Sequence, residues 1–324
     1  MYFNTSKENI NKKDNIQYNN KWTEYNASQL AEKLNGDKNW YEDINSKKTE
    51  NTIVKPGLDN FLNRAVVIKT ININNKNNFN DCLIEQIDLL NEIETHLLPE
   101  PLDYFKIDDR PILVLDYHPG YNLKKEILLL KENGRDKSAH LPIIARIARN
   151  ILYFILIAKE KNYVHLGLCP DHIIIINNQN ARVVGINKIH KYKNNKIKIY
   201  DIKNRYEHKY MPPEIYIKDR NNELDVDAIS AFSLGIILCQ MICIEPNIED
   251  FMITKISEKH SVFSYPNPDE EKQKLFENLI NKKVEVKKRK KVKELITDLC
   301  SPDPKKRLKD FKLIEKRLYE IGRV

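Results

Sequence analysis

Apolar positions along this chain fall into stretches of different character. Residues 1 to 25 are rich in Asn and Lys and nearly free of aliphatic side chains. Such a segment cannot offset its own ordering entropy, so it reads as a flexible arm. Residues 26–49 read as an extension carrying one short helix, Ser28-Gln29-Leu30-Ala31-Glu32-Lys33-Leu34, with Ser28 as N-cap and Gly36 just past the end. From residue 50 the periodicity strengthens. Ala65-Val66-Val67-Ile68-Lys69 is a β-branched run and Pro111-Ile112-Leu113-Val114-Leu115-Asp116-Tyr117 a second one, both read as buried strands. Between them, Asn80 to Ile93 carries apolar residues at 83, 84, 87, 89, 90 and 93, which is helical spacing.

The second half is mostly helical in pattern. Ile143 to Ala158 is strongly apolar at helical period, and Asp227 to Ile244 is apolar nearly all round, as in a helix at the centre of a large domain. Ile173-Ile174-Ile175-Ile176 and Ala181-Arg182-Val183-Val184 flank Asn177-Asn178-Gln179-Asn180 and predict a β-hairpin. Strands with one helix, followed by mainly helices, define the α+β class.

Composition narrows the picture. A hydrophobic fraction of 41% and a charged fraction of 31% over 324 residues describe a globular chain and exclude collagen-like, membrane and wholly disordered classes. No window approaches 18 apolar residues, and no signal-like run opens the sequence, so no membrane span is expected. The net charge of +8 is modest for this length and does not argue for nucleic acid. The basic run Lys287 to Lys293, within residues 282–293, reads as a solvated helix face rather than a nucleic-acid or anionic-surface patch. Five cysteines without a CxxC pair suit a cytoplasmic or other reducing compartment. Cys239 and Cys243, one helical turn apart, read as small core side chains, since no second ligand pair lies near them.

Four stretches in order resemble the protein kinase superfamily. Val164-His165-Leu166-Gly167-Leu168-Cys169-Pro170-Asp171-His172-Ile173 is similar to the catalytic loop V-H-R-D-L-K-P-x-N-I, and Tyr210-Met211-Pro212-Pro213-Glu214 resembles the A-P-E segment. Ala231 to Leu238 looks like the hydrophobic central helix, and Ser301-Pro302-Asp303-Pro304-Lys305-Lys306-Arg307 like the stretch that ends the domain with an arginine. The resemblance implies a bilobal fold over 50–322, a β-rich N-lobe at 50–117 and an α-helical C-lobe at 118–322. It implies that Lys69 is the strand lysine that holds nucleotide phosphates. Glu85, sixteen residues later, is its helix partner in preference to Glu92. Leu115 then falls at the gatekeeper, and Asp116-Tyr117-His118 at the hinge that meets adenine. Glu214 and Arg307 would form a buried ion pair, and Leu89, His165 and Ile186 members of a packed column.

Phosphoryl transfer needs a carboxylate base and two magnesium ions held by acidic and amide oxygens. By the same resemblance, the base position is Gly167, the neighbouring lysine position Cys169 and the metal-binding asparagine position His172. The metal-binding aspartate position, twenty residues after His165, is Gly185. Glycine can neither accept a proton nor hold a metal, and imidazole prefers softer metals to magnesium. Upstream of Lys69, residues 48–60 contain one glycine, Gly57, where the family's phosphate loop has three. Asp171 is the only carboxylate inside the loop, and Ser230 stands at the aspartate that braces it, with Asp227 one turn earlier. No catalytic or metal residue is therefore assigned. The expected function is a pseudokinase: a protein-interaction or allosteric module without phosphotransfer, its partner a protein such as an active kinase or its substrate. No cofactor is expected. The alternative is a kinase-like enzyme of unorthodox chemistry that binds ATP without magnesium through Lys69, Glu85, Leu115, Asp116 and Tyr117.

Overall fold

The computed structural model describes residues 16–18, 20–36, 47–48, 52–71, 80–107, 110–117, 119–133, 140–176, 180–198, 210–217, 223–245, 253–257, 260–263 and 270–323. Residues 1–15, His118, the turn at 177–179 and the Cys82 side chain lie outside the described set. The chain divides into two compact units, one of Met1–Leu83 with Glu100–Pro119, the other of Ile84–Pro99 with Gly120–Val324.

The first unit is built on an antiparallel sheet. Its strands are β1 (Trp22–Glu24), β2 (Lys47–Lys48), β3 (Thr52–Asp59), β4 (Arg64–Ile71), β5 (Pro101–Ile107) and β6 (Arg110–Asp116), in the order β1-β3-β4-β6-β5 with β2 also on β3. Strand alternation sends Val66, Ile68, Ile112 and Val114 to one face, where they enclose Trp22. Leu58 and Ala65 point to the other face, under helix α1 (Ala27–Leu34), which adds Ala27, Leu30 and Ala31. Tyr25, Leu34 and Tyr117 pack around that second cluster.

Two expectations change here. Residues 16–25 belong to the folded unit rather than to an arm. One fully buried tryptophan supplies what the missing aliphatics do not, and its indole Nε1 donates to Asp103 Oδ2 at 2.7 Å. The N-cap of α1 is Asn26 rather than Ser28. Asn26 Oδ1 accepts the Gln29 N–H at 3.0 Å while Gln29 Oε1 accepts the Asn26 N–H at 3.1 Å, a capping box that requires a residue three places before Gln29. Asn35 ends the helix in the left-handed conformation.

Gly57 is not in a phosphate loop. It lies inside β3, opposite Glu24 and Val66, and a Cβ there would sit 2.4 Å from Ile68 Cδ1 and 3.0 Å from the Thr23 carbonyl oxygen. Its absence of side chain lets the sheet edge close. The connection between β2 and β3, residues 49–51, reads Thr-Glu-Asn and has no glycine; it lies outside the described residues.

The second unit is mainly helical. It holds most of α2 (Asn80–Ile93), then α3 (Leu123–Glu132), α4 (Leu141–Glu160), α5 (Glu214–Ile217), α6 (Val226–Cys243), α7 (Glu270–Lys283), α8 (Val286–Leu299) and α9 (Phe311–Gly322). Short strands lie between them. They are β7 (Tyr121–Asn122), β8 (Tyr163–His165), β9 (Ile173–Ile176), β10 (Asn180–Val183), β11 (Ile189–Lys191), β12 (Lys196–Lys198) and β13 (Glu223–Asp225), with a later hairpin of β14 (Ile253–Ser257) and β15 (His260–Phe263). Both α4 and α6 are long and apolar enough to cross a membrane on length and composition, contrary to the reading of the sequence. Yet 94% of the α6 window is buried within the protein, as in a core helix. Asp225 caps α6 by accepting the Asp227 and Ala228 N–H groups, and Cys239 and Cys243 are buried with the rest of it.

Candidate functional site

The segment 163–191 is closed by two ladders. β8 pairs antiparallel with β11, His165 opposite Ile189, and β9 pairs with β10, Ile173 opposite Val183. Between β8 and β9 the chain runs through Leu166 to Cys169 and a 3₁₀ turn at Pro170–His172, whose His172 N–H donates to the Cys169 carbonyl at 2.9 Å. Between β10 and β11 it passes Val184, Gly185 and a second 3₁₀ turn, Ile186–Lys188. Backbone bonds fasten the two loops together. The Val184 N–H donates to the His172 carbonyl at 2.8 Å, and the Leu166 N–H to the Lys188 carbonyl at 2.9 Å.

Gly167 is the hub of the side-chain network. Its N–H donates to His165 Nδ1 at 3.2 Å, and its carbonyl accepts from His172 Nδ1 at 2.6 Å. His165 Nε2 lies 2.9 Å from the Val184 carbonyl, so that nitrogen carries the proton and the ring is neutral. Burial, reinforced by nearby His172, pushes the His165 imidazole down to about 3. Phe154 meets the ring edge-on at 6.1 Å. His165, Leu89 and Ile186 are all buried, as the column expectation requires of them individually.

The His172 ring fills the space beside Gly185. A Cβ on residue 185 would lie 2.9 Å from His172 Cδ2 and 3.0 Å from Cγ, and the residue sits at φ +78°, a conformation side chains resist. A Cβ on Gly167 would come nearest to the Lys188 stem, with Cγ at 3.2 Å and Cβ at 3.3 Å. Cys169 is buried with Sγ 3.4 Å from His172 Nδ1. Asp171 is paired with Lys124 on α3 at 3.5 Å, and Asn187 is exposed. Among the described residues no group of three or more His, Cys, Asp or Glu could hold a metal ion.

The remaining sequence candidates are distributed as follows. Lys69 is buried in β4 opposite Val54 and Leu113. Leu115 is buried opposite Val67 and Pro101. The Asp116 carboxylate accepts the Glu100 N–H at 2.5 Å, and the Asp116 N–H donates to the Glu100 carbonyl. Tyr117 packs on the α1 cluster. On α2, Glu85 is exposed, while Gln86 is the buried polar residue, in a stripe with Leu83, Leu90 and Ile93. Sequence reasoning passed over Gln86, although its helical spacing from Leu83 and Leu90 carried the signal. Glu92 is held by Tyr163 Oη at 2.8 Å and Lys191 Nζ at 3.1 Å.

Two structural expectations can be read directly. Arg307 clasps Glu214 with both ends of its guanidinium, at 2.7 and 3.0 Å, and also donates to the Ser301 and Ala228 carbonyls over the Phe232 ring. Asp227 does not brace the 165–172 loop. It accepts from Lys159 at 2.6 Å and from Asn195 at 3.2 Å, while Ser230 bonds back to the Val226 carbonyl.

A strand-rich unit carrying a buried lysine, followed by a helical unit with this loop, turn and arginine clasp, defines a bilobal α+β protein of kinase type. The protein kinase domain family matches residues 51–318, and the chain belongs to that family. No curated protein sequence matches it.

Proposed function

We propose that this kinase-family domain works without phosphotransfer, as a protein-interaction or allosteric regulatory module in a cytoplasmic or other reducing compartment. Its partner would be another protein, such as an active kinase or that kinase's substrate. One observation carries the reading: where magnesium chemistry requires a carboxylate there is Gly185, with the His172 ring within 2.9 Å of the point at which any side chain would begin. The base position, Gly167, is equally bare, and Asp171 is engaged by Lys124. General-base help contributes on the order of 10² to 10⁴ in rate, and metal charge stabilisation several kcal/mol more. Losing both leaves no useful transferase. The fold groups are intact by contrast, with the Arg307–Glu214 clasp and the predominantly apolar α6 supporting a stable scaffold.

The test is transfer of labelled γ-phosphate to protein substrates, with magnesium or manganese, by the parent chain, Gly167→Asp and Lys69→Ala. No transfer is expected from any of them. Transfer that Gly167→Asp leaves unchanged and Lys69→Ala abolishes would overturn the proposal.

A further inference from the structure

The last helix carries cations that its neighbours in the fold do not use. Along α9 the charged residues are Lys312, Glu315, Lys316, Arg317 and Glu320, with Arg323 at its end. Two of them turn to α8, Arg317 pairing with Asp298 at 2.6 Å and Glu320 with Lys291 at 3.1 Å. Glu315 turns to α4, where its carboxylate accepts the Tyr153 hydroxyl at 2.8 Å and meets Arg149 at 3.6 Å. Lys312, Lys316 and Arg323 are exposed and enter no ion pair among the described residues.

Those three cations share one surface with two tyrosines. Both helices belong to the second unit and run antiparallel, with Gly322 against Ala145 and Glu315 against Tyr153. Positions 312, 316, 319 and 323 fall on one helical stripe, roughly 16 Å long at 1.5 Å per residue. Tyr319, 53% exposed, lies between two guanidiniums, with Arg149 Cζ 5.9 Å and Arg323 Cζ 5.6 Å from its ring centroid. Tyr153 stands beside it, 41% exposed. A ring face that attracts both arginines restricts their rotamers, so less entropy is lost when they meet an anion.

Such a face calls for a negatively charged partner, and magnitudes choose among the candidates. Nucleic-acid binders neutralise about 6–10 phosphates, and an anionic bilayer is held by clusters of about 4–8 basic residues. Three unmatched cations fall short of both. Tyrosine and arginine are the residue types that anchor protein interfaces. We propose that the α4–α9 face of Arg149, Tyr153, Lys312, Lys316, Tyr319 and Arg323 docks an acidic segment of the partner protein. This rests on the reading of the domain as a protein-interaction module and names its surface and the chemistry of its partner.

The test is a fluorescence-anisotropy titration of the full chain with a fluorescein-labelled octaglutamate peptide. Saturable binding is expected, weakening as salt rises. Lys316→Glu with Arg323→Glu should weaken it tenfold or more, and Tyr319→Ala about fivefold. Lys287→Glu with Lys290→Glu makes the same change in net charge on α8 and should alter binding less than twofold. Melting temperatures of all variants control for folding. Should the charge reversal on α9 not fold, Lys316→Gln with Arg323→Gln takes its place, with a loss of about fivefold expected. Absent binding, binding that survives the α9 changes, or an equal loss from the α8 pair overturns the inference. So does tighter binding of a single-stranded oligonucleotide or of phosphatidylserine vesicles. Phosphate transfer by the parent chain would overturn the proposed function and not this docking face, so the two failures are distinguishable.

Discussion

Replacing Gly185 by Asp would supply the carboxylate that the resemblance expects at this position and should damage the fold. Two separate effects add. The backbone is at φ +78°, and a non-glycine residue in that region costs about 1–2 kcal/mol, with Asp toward the lower end. The new Cβ would also lie 2.9 Å from the His172 ring, closer than real Cβ atoms come, so the imidazole has to move. Moving it breaks the 2.6 Å hydrogen bond to the Gly167 carbonyl, about 1 kcal/mol, and adds an overpacking cost of about 1 kcal/mol or more. The sum is about 3 kcal/mol. His172→Asn removes the ring, and in that background Gly185→Asp should cost only the backbone share, about 1 kcal/mol.

The assay is urea unfolding of the parent, both single variants and the double variant, comparing midpoints at constant m-value. The double-mutant cycle should give a coupling of about 2 kcal/mol, in the sense that the double variant is more stable than the singles predict. Gly185→Ala should be destabilised nearly as much as Gly185→Asp, because the first side-chain atom makes the clash. Additivity within about 0.5 kcal/mol, or a Gly185→Asp variant as stable as the parent, would refute the argument that His172 occupies this volume.

Other outcomes follow from the same geometry. Arg307→Ala leaves the Glu214 carboxylate buried and unpaired and should cost about 3–5 kcal/mol in urea unfolding; Arg307→Lys should recover little, because the clasp uses both ends of a fork. Trp22→Ala should cost about 3–5 kcal/mol, whereas a loss below about 0.5 kcal/mol would return residues 16–25 to the status of an arm. His165 gives a pH signature. Its folded value, about 3, lies below the unfolded value of about 6.5, so between those limits the unfolded chain binds a proton that the folded one refuses. Stability is fully present above about pH 6.5 and falls on acidification, by up to about 1.4 kcal/mol per pH unit from this group. The difference in urea midpoint between the parent and His165→Gln should therefore shrink as pH drops from 7 to 5.

The fold was largely legible because its signals are local and periodic. The β-branched run at 65–69 became Arg64–Ile71, the helix over Asn80–Ile93 has those bounds, and the stretch that is apolar nearly all round became α6. Apart from the N-cap of α1, decided locally by Asn26 and Gln29, where reading failed the deciding contact was distant in sequence. The segment around Trp22 read as an arm because the partners of Trp22, namely Val66, Ile68, Ile112 and Val114, lie up to ninety-two residues away. Gly57 looked like the remnant of a loop because its reason, Ile68 and the Thr23 carbonyl, comes from neighbouring strands. The basic run at 287–293 does lie on a helix with Lys287, Lys290 and Lys291 exposed, as read, but its partners on other helices were not legible. Lys291 and Lys293 meet Glu320 and Glu277 on flanking helices, and Lys288 donates to the Ile321 and Arg323 carbonyls at the end of α9. Within the candidate loop, the glycines at 167 and 185 could be read from the sequence alone. The compensating neighbours could not, because His172 reaches Gly185 across a hairpin and Lys188 reaches Gly167 across a strand pair.

That distinction makes the two glycines physically unequal. At Gly167 the backbone is not in the left-handed region, and the nearest atoms, Cγ, Cβ and Cδ of the half-buried Lys188, have to give by only a few tenths of an ångström. An aspartate introduced there would lie beside the Lys188 stem, and any ion pair it made would be worth no more than about 1 kcal/mol for a partly exposed pair. Gly167→Asp should therefore change stability by less than about 1 kcal/mol, and any gain should fade as salt rises from 0.05 to 0.5 M. Gly185→Asp should stay destabilised at every salt concentration, since its penalty is steric and torsional. If the two variants instead respond alike, whether both tolerated or both crippled, then the spaces around the loop are not filled by His172 and Lys188 in the different ways that the distances require.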